Sequence, residues 1–182
     1  MVRSIRDQQR QKVYRWEREV WGRDSNLVKK LTLEECQKLV DLAYRRYRPN
    51  ALQTPWVTDG RGTRRALAYG SYKISLPLWA RTPGVVLHEV SHTLTNGDSC
   101  AAHGPEFVRL MCDLWKWYCG VSYVSSAKKS KVKVASANKV LSPIKIRQGK
   151  IDVAVTALLE LSSHEYTKAI QRYKAKITKD LI

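Results

Sequence analysis

Three of the four histidines in this 182-residue chain lie between residues 88 and 103, and two of them, His88 and His92, enclose Glu89. On an α-helix, residues four apart lie on one face, so both imidazoles can reach a single metal ion. Zinc prefers four ligands in a tetrahedron, and catalytic sites use three protein ligands and leave the fourth position open. The spacing therefore predicts a helix through residues 88–92 and a third ligand from another part of the fold.

His103 is the candidate for that third ligand. A helix stop at Asn96-Gly97 lets the chain reverse, and His103 stands immediately before the next predicted helix. Three histidines and a water would then surround Zn²⁺, with Glu89 beside the metal as the general base. A closed structural zinc site and histidines satisfied within the core are the other interpretations, and neither has a use for a base at Glu89.

The four cysteines form no Cys-x-x-Cys pair, and the charged N-terminus lacks the apolar stretch of a signal peptide. We therefore expect reduced thiols and a cytoplasmic protein, with no apolar run long enough to span a membrane. Cys100 lies close to His103 and is a candidate fourth ligand. His164 stands apart from the other histidines and is expected at the surface or in packing.

The net charge of +17 is unevenly distributed. Residues 1–65 carry 16 Lys and Arg against 8 Asp and Glu, residues 66–120 carry 4 against 4, and residues 121–182 carry 13 against 4. Basic flanks of this size favour a polyanionic partner, and we expect non-specific nucleic acid, the alternative being a solvated lysine-rich surface. The candidate contacts are Lys128, Lys129, Lys131, Lys133, Arg64 and Arg65.

Apolar periodicity and capping patterns predict helices that alternate with a short sheet. The predicted helices end near residue 21, cover 33–47 behind a capping box at Thr32 and Glu35, and cover 83–96 and 105–119 behind first-turn prolines. Residues 56–58 and 66–78 are predicted as strands, with Gly70 weakening or bulging the second one. This order predicts an α+β fold.

Composition divides the chain into four segments. They are basic N-terminal helices (1–50), a catalytic core (51–122), a basic arm or linker (123–150) and a C-terminal helical segment (151–182). Residues 125–150 hold eight Lys or Arg and no acidic residue, so the arm is interpreted either as tracking phosphates or as a disordered linker. It has no interleaved aromatic residues, so base stacking on it is not expected.

The sequences His-Glu-x-x-His at 88–92 and His-Gly-Pro-Glu-Phe at 103–107 resemble those of the SprT-like, or Spartan-type, zinc metallopeptidases. The resemblance covers about residues 66–120 and implies a zincin-like domain with a small sheet and flanking helices. Residues 6–14, Arg-Asp-Gln-Gln-Arg-x-x-Val-Tyr, are similar to uncharacterised metallohydrolases of bacteria and phages. The loop before His103 is short, and the C-terminal four-cysteine zinc ribbon of some members is absent.

The resemblance implies a zinc metalloprotease whose substrates are proteins on or near nucleic acid, placed at the nucleoid or, if phage-encoded, in the host cytoplasm or the virion. Glu89 would remove a proton from water and deliver it to the leaving amine. Tyr69 or Tyr72 could add a hydrogen-bond donor, although strand aromatics usually pack in a core. The alternative is a zincin-fold nucleic-acid-binding or phage structural protein without turnover.

Overall fold

The computed structural model describes residues 7–95 and 101–137, in which helices flank a small sheet. The helices are α1 (Arg10–Trp21), α2 (Ser25–Val28), α3 (Leu33–Tyr47), α4 (Pro83–Thr95), α5 (Pro105–Cys119) and α6 (Val124–Lys129), with a 3₁₀ turn at Leu78–Ala80. The strands are β1 (Trp56–Asp59), β2 (Leu67–Tyr69) and β3 (Lys73–Leu76). This mixture confirms the predicted α+β class. The C-terminal helical segment lies outside the described residues, as do Cys100 and His164.

Local sequence sets the helix ends as predicted. The Thr32 hydroxyl accepts a hydrogen bond from the Glu35 N–H, and the Glu35 carboxylate accepts one from the Thr32 N–H, which confirms the capping box before α3. Proline occupies the first position of α5, and the helix ends at Gly120, whose φ of 75° is left-handed. These signals depend on neighbouring residues only, so they can be read without the tertiary fold.

Helix α4 lies at the centre of the fold and contacts α2, α3, α5, β2 and β3. Its residues 83–91 are all buried, as expected for a helix surrounded by other elements. Gly84 allows the close approach, because a Cβ there would lie 2.5 Å from Trp21 Nε1 and 2.9 Å from the Leu27 carbonyl oxygen. The helix that carries the histidine motif is therefore held on every side.

Helix α1 belongs to the same core. Val13, Trp16 and Val20 are buried, and the Trp16 ring lies 5.4 Å from that of Trp115 in α5. The Trp16 indole N–H also donates to the Ser126 hydroxyl in α6, at 3.1 Å. The first helix and the segment after α5 thus pack together against the helices of the histidine motif.

The three strands form one sheet in the order β1-β3-β2, with β1 parallel and β2 antiparallel to β3. Val57, Ile74 and Leu76 are buried on the inner face, toward the helices. The single strand predicted over 66–78 is wrong: residues 70–72 form a turn, with Gly70 at a φ of 53°, and join β2 to β3 as a hairpin. The alternation of side chains continues through both strands, so the sequence pattern did not reveal the turn between them.

The beginning of the predicted basic arm is packed rather than free. Residues 124–129 form α6, and Ala127 and Val132 are buried. The Val132 N–H donates to the Ala127 carbonyl, and the Ala135 N–H donates to the Pro105 carbonyl at the start of α5. This segment can pack because small apolar residues stand between the lysines and enter the core while the lysines stay outside.

The expectations about thiols and membranes can be checked within the described residues. Cys36, Cys112 and Cys119 are free thiols, as predicted. In this part of the chain, no helix is both long and apolar enough to cross a membrane.

Candidate metal centre

Helix α4 presents His88 and His92 to the same point. Their Nε2 atoms lie 3.1 Å apart, and His88 is buried while His92 is half-buried. Two nitrogen ligands of a tetrahedral zinc ion, each at ~2.0–2.1 Å, are about 3.3–3.4 Å apart. The spacing predicted from the i, i+4 pattern therefore gives a pair that needs almost no rearrangement to chelate one ion.

His103 completes the set from the turn before α5. The Gly104 N–H donates to the Ala101 carbonyl at 2.8 Å, and this tight turn aims the His103 ring back at α4. Its Nε2 is buried and has no hydrogen-bond partner, and the ligand atoms of the three histidines all lie within 4.8 Å of one another. The structure thus brings together the three histidines that the sequence nominated, as a group that could hold a metal ion.

Two carboxylates, the buried Glu17 and the half-buried Asp7, orient the rings from behind. His88 Nδ1 lies 2.5 Å from Glu17 Oε1, and His103 Nδ1 lies 2.6 Å from Asp7 Oδ2. When Nδ1 keeps its proton and donates to a carboxylate, the Nε2 lone pair is left for a metal, and the ligand becomes more basic. The Glu17 side chain is only 1% exposed, so its contact with His88 is a buried interaction and not a surface ion pair.

The sequence analysis missed both carboxylates. Glu17 lies on α1 and Asp7 just before it, and they are 71 and 96 residues from their histidine partners. One signal was present: Arg10, Tyr14 and Glu17 have i, i+4, i+7 spacing and form a polar stripe beside the buried face of α1. That pattern shows which residues share a face but not what the face contacts.

Gln9 fixes the backbone around His103. Its side-chain amide donates to the His103 carbonyl at 2.8 Å and to the Lys133 carbonyl at 3.1 Å. Its carbonyl oxygen accepts from the Lys133 N–H at 2.9 Å. The buried amide therefore joins the N-terminus, the ligand turn and the segment after α6, which explains why residues 130–135 are held in place.

Aromatic rings line the walls of the site. Tyr14 stacks 5.7 Å from His88 and meets His103 edge-on at 5.0 Å. Phe107, fully buried in α5, lies 4.4 Å from His92. Tyr14 is 36% exposed and borders solvent, and burial of the rest of its side chain raises the pKa of its hydroxyl, so it keeps its proton. The Arg10 guanidinium lies over the Tyr14 ring at this opening, 5.5 Å from the ring centroid.

The tyrosine beside the histidines is thus Tyr14, and not either of the two tyrosines suggested by the strand pattern. Tyr72 lies in the turn between β2 and β3 and is 62% exposed. The Tyr69 ring lies beneath the Lys73 ammonium, 4.2 Å from its centroid. Neither contacts a histidine ring among the ring contacts of the described residues. Strand position alone could not separate these tyrosines from Tyr14.

Glu89 follows His88 on α4 and faces β2. Its side chain is buried, and the Ala68 backbone N–H hydrogen-bonds it. Burial raises the pKa of Glu89 above the ordinary carboxyl value, and the nearby Glu17 adds to this effect, while His88 and the Ala68 N–H oppose it. The structure thus puts a carboxylate of increased basicity between the histidine cluster and an edge strand.

The histidine cluster is electrostatically suited to a cation. Burial lowers the pKa of His92 and of His103, which favours the neutral imidazole that binds metals. Burial also opposes charging of His88, but the Glu17 carboxylate outweighs it and raises the pKa of His88. Among the described residues, the group that could hold a metal ion comprises these three histidines.

The six basic residues nominated for nucleic acid are exposed but lie in two parts of the fold. Arg64 and Arg65 stand in the loop between β1 and β2. The four lysines lie at the end of α6 and just after it, where Ser130 and Lys133 contact Glu19 and Gln9. The lysine group therefore adjoins the N-terminal helix, whereas the arginine pair adjoins the sheet.

Comparison with known proteins gave no relative: no protein family, no curated protein and no solved structure was found to match this chain.

Proposed function

We propose that this chain is a zinc-dependent metallopeptidase of the SprT-like, zincin type that hydrolyses proteins on or near nucleic acid. The observation that carries the proposal is the convergence of three histidine side chains beside the buried Glu89. A structural zinc site or a set of core histidines has no need for a carboxylate buried at this point. Besides the histidines, Glu89 has the edge strand β2 as a neighbour, and an edge strand is suited to holding a peptide substrate.

The donor set fits zinc. His88, His92 and His103 would hold the ion through Nε2. The Nε2 of His103 is buried and has no hydrogen-bond partner, so a metal ion would satisfy an otherwise unpaired polar atom. Imidazole nitrogen also suits copper, iron and nickel, but a set of three imidazole ligands is typical of catalytic zinc. Bound zinc supplies Lewis acidity, which acidifies a water molecule and polarises a peptide carbonyl.

The chain's own residues perform the remaining tasks. Glu89 takes a proton from the attacking water on a carboxylate oxygen and returns it to the leaving nitrogen. The Tyr14 hydroxyl, on a ring that packs against Arg10, donates to the oxygen on which negative charge develops. Strand β2 lies at a sheet edge, where unpaired backbone groups can align an extended peptide past Glu89.

Zinc is expected to stabilise the chain. A ligand that binds only the folded state at 100 times its Kd adds ~2.7 kcal/mol, or about 5–10 °C in Tm for a domain of this size. The test measures bound metal by elemental analysis and Tm with zinc and with a chelator. Peptide or casein cleavage is measured on the same samples, with and without DNA. Absence of bound zinc, together with an unchanged Tm, would refute the site.

The alternative is a zincin-fold protein that binds nucleic acid without turnover, which the basic flanks also suit. The same experiment separates the two. Zinc binding with cleavage that a chelator abolishes and added zinc restores supports the peptidase. Zinc binding without cleavage of any protein substrate, free or DNA-bound, would favour the silent protein.

Tyr14→Phe is expected to lower kcat by about 10²-fold while zinc content stays unchanged, because only a transition-state donor is removed. The ring contacts with His88 and His103 remain in this variant. Tyr72→Phe is the matched control, since that hydroxyl is exposed in the hairpin turn. Steady-state kinetics decide the matter: a change confined to KM, or equal effects of the two substitutions, would contradict the role of Tyr14.

A further inference from the structure

The segment after α6 leaves that helix along a course fixed by its backbone. The Val132 N–H donates to the Ala127 carbonyl at 3.0 Å. The Lys131 N–H donates to the Lys128 carbonyl, also at 3.0 Å, and the two bonds together close the helix end. Lys131 has a φ of 56°, a left-handed conformation that favours glycine, and a lysine keeps it only where other contacts hold the chain. We call residues 130–135, which make those contacts, the strap.

Gln9 binds the strap with both ends of its amide. Its Oε1 accepts the Lys133 N–H at 2.9 Å, and its Nε2 donates to the Lys133 carbonyl at 3.1 Å. The same Nε2 also donates to the His103 carbonyl, at 2.8 Å. A glutamine amide has two N–H groups and one oxygen, and all of them are used in this side chain, which is only 7% exposed. Gln9 therefore joins the strap to the residue that supplies the third candidate metal ligand.

The strap is attached to the His103 turn at a second point. The Ala135 N–H donates to the carbonyl of Pro105, the first residue of α5, at 3.0 Å. At the other end of the strap, the Ser130 hydroxyl donates to the Glu19 carboxylate on α1, at 3.1 Å. The strap thus holds the ligand turn both at His103, through Gln9, and two residues beyond it.

The three candidate ligands differ in what holds their backbone. His88 and His92 lie within α4, whose own hydrogen bonds fix them. His103 lies in the turn before α5, outside any helix, and its carbonyl is held by Gln9. Displacement of the strap would therefore release the third imidazole and leave the other two in place.

We propose that the strap controls how tightly the metal centre retains its ion, by holding His103 in place through Gln9. With the strap seated, three imidazoles are available to the ion, and with the strap lifted the ion keeps two. Coupling between two sites is reciprocal, so metal binding at His103 also holds the strap down. The inference rests on the metal half of the proposed function and does not depend on peptide hydrolysis.

Little apolar surface holds the strap, which suits it to this role. Val132 is the one buried residue of the six, while Lys131 and Lys133 are exposed and Val134 is half-buried. Segments with few buried apolar contacts open at a lower free energy than the core does. If the strap only completed the core, loosening it would lower the stability of the fold equally with and without metal.

The first test measures the zinc affinity of the full chain by competition with a chromophoric chelator. Lys133→Pro removes the N–H that Gln9 accepts, at a residue whose side chain is exposed. It is expected to weaken zinc binding about tenfold, the low end of the effect of groups that support a metal ligand. Gln9→Met removes all three bonds at nearly the same side-chain length and should weaken zinc binding at least as much. Ser136→Pro is the matched control, since it adds the same ring at an exposed position just past the strap.

Limited digestion with trypsin gives the reciprocal readout. Trypsin cuts after Lys133, whose carbonyl Gln9 holds, so zinc should slow this cut at least about fivefold, the low end of coupling between two sites. Cleavage after Arg61, in the exposed loop between β1 and β2, is the internal control, and mass spectrometry identifies each cut. In Gln9→Met the protection of Lys133 by zinc should be lost.

Equal zinc affinities of Lys133→Pro and Ser136→Pro would overturn the proposal, as would zinc protection no greater at Lys133 than at Arg61. A lower Tm of Lys133→Pro without zinc, at unchanged zinc affinity, would show that the strap only completes the core. These results leave the metal centre in place. Failure of the unmodified chain to bind zinc would instead refute the metal centre and, with it, the role of the strap.

Discussion

Replacing Glu89 with glutamine is expected to lower peptide hydrolysis by about 10²–10⁴-fold while zinc content and Tm stay near those of the unmodified chain. Gln has almost the same shape and can still accept the Ala68 N–H, so the packing between α4 and β2 survives. It cannot take up a proton from water. The change therefore isolates base catalysis from metal binding.

Glu106→Gln is the matched control for that variant. Glu106 also lies near the metal ligands, in the first turn of α5, but its expected role is a favourable interaction with the helix dipole. Its loss should change activity by no more than a few-fold. If Glu89→Gln kept normal turnover with full zinc content, Glu89 would not be the base; if it lost its zinc, the carboxylate would belong to the metal site.

Replacing Glu17 with glutamine is expected to weaken zinc binding by about 10–100-fold, the usual effect of removing a carboxylate that supports a histidine ligand. The amide can still accept the His88 Nδ1–H, so the ring remains oriented. What is lost is the negative charge that makes the imidazole a stronger donor. Competition with a chromophoric chelator measures the affinity directly, without any assay of activity.

Glu19→Gln is the control for Glu17. It removes the same charge from the same helix, but Glu19 is exposed and bonds the Ser130 hydroxyl instead of a ligand. Surface changes of this kind usually alter stability by less than ~0.5 kcal/mol, and zinc affinity should not change. Equal zinc affinities of the two variants would show that Glu17 packs α1 without tuning His88. If Glu17→Gln lowered zinc affinity only by destabilising the fold, the Tm of the variant measured without zinc would fall as well.

Prediction from sequence succeeded where neighbouring residues determine the outcome. His88 and His92 are four apart on a helix, and this geometry holds whatever surrounds it. The capping box at Thr32 and Glu35 and the first-turn proline of α5 were also confirmed, since each involves atoms within one helical turn. Placing His103 required only a helix stop and a second helix start.

Prediction failed where two different structures are compatible with the same sequence pattern. Alternating residues from 66 to 78 suit one long strand or a hairpin, and only the positive φ of Gly70 and the pairing of β2 with β3 distinguish them. The basic run after residue 123 suggested a linker, yet Ala127 and Val132 enter the core. Composition averages over a segment, whereas burial depends on individual side chains.

The segment 6–14 shows the same limit at the functional site. The sequence suggested that this segment resembles metallohydrolases, but it did not show what the residues of the segment contact. In the structure Asp7 bonds His103, Gln9 holds the His103 backbone, and Tyr14 covers two of the rings. A segment remote from the histidine motif therefore builds the back and the rim of the metal centre.

The sequence by itself identified the candidate metal ligands and the candidate base: three histidines and Glu89, spaced so that a helix and a chain reversal bring them together. Only the tertiary structure decided how that chemistry is supported, through Glu17 and Asp7 behind the ligands and Tyr14 at the opening. The physical reason is the distance along the chain over which each kind of interaction acts. Helical spacing and caps act over a few residues, but α1 meets α4 across some seventy residues of chain, through burial of Trp16 and its neighbours.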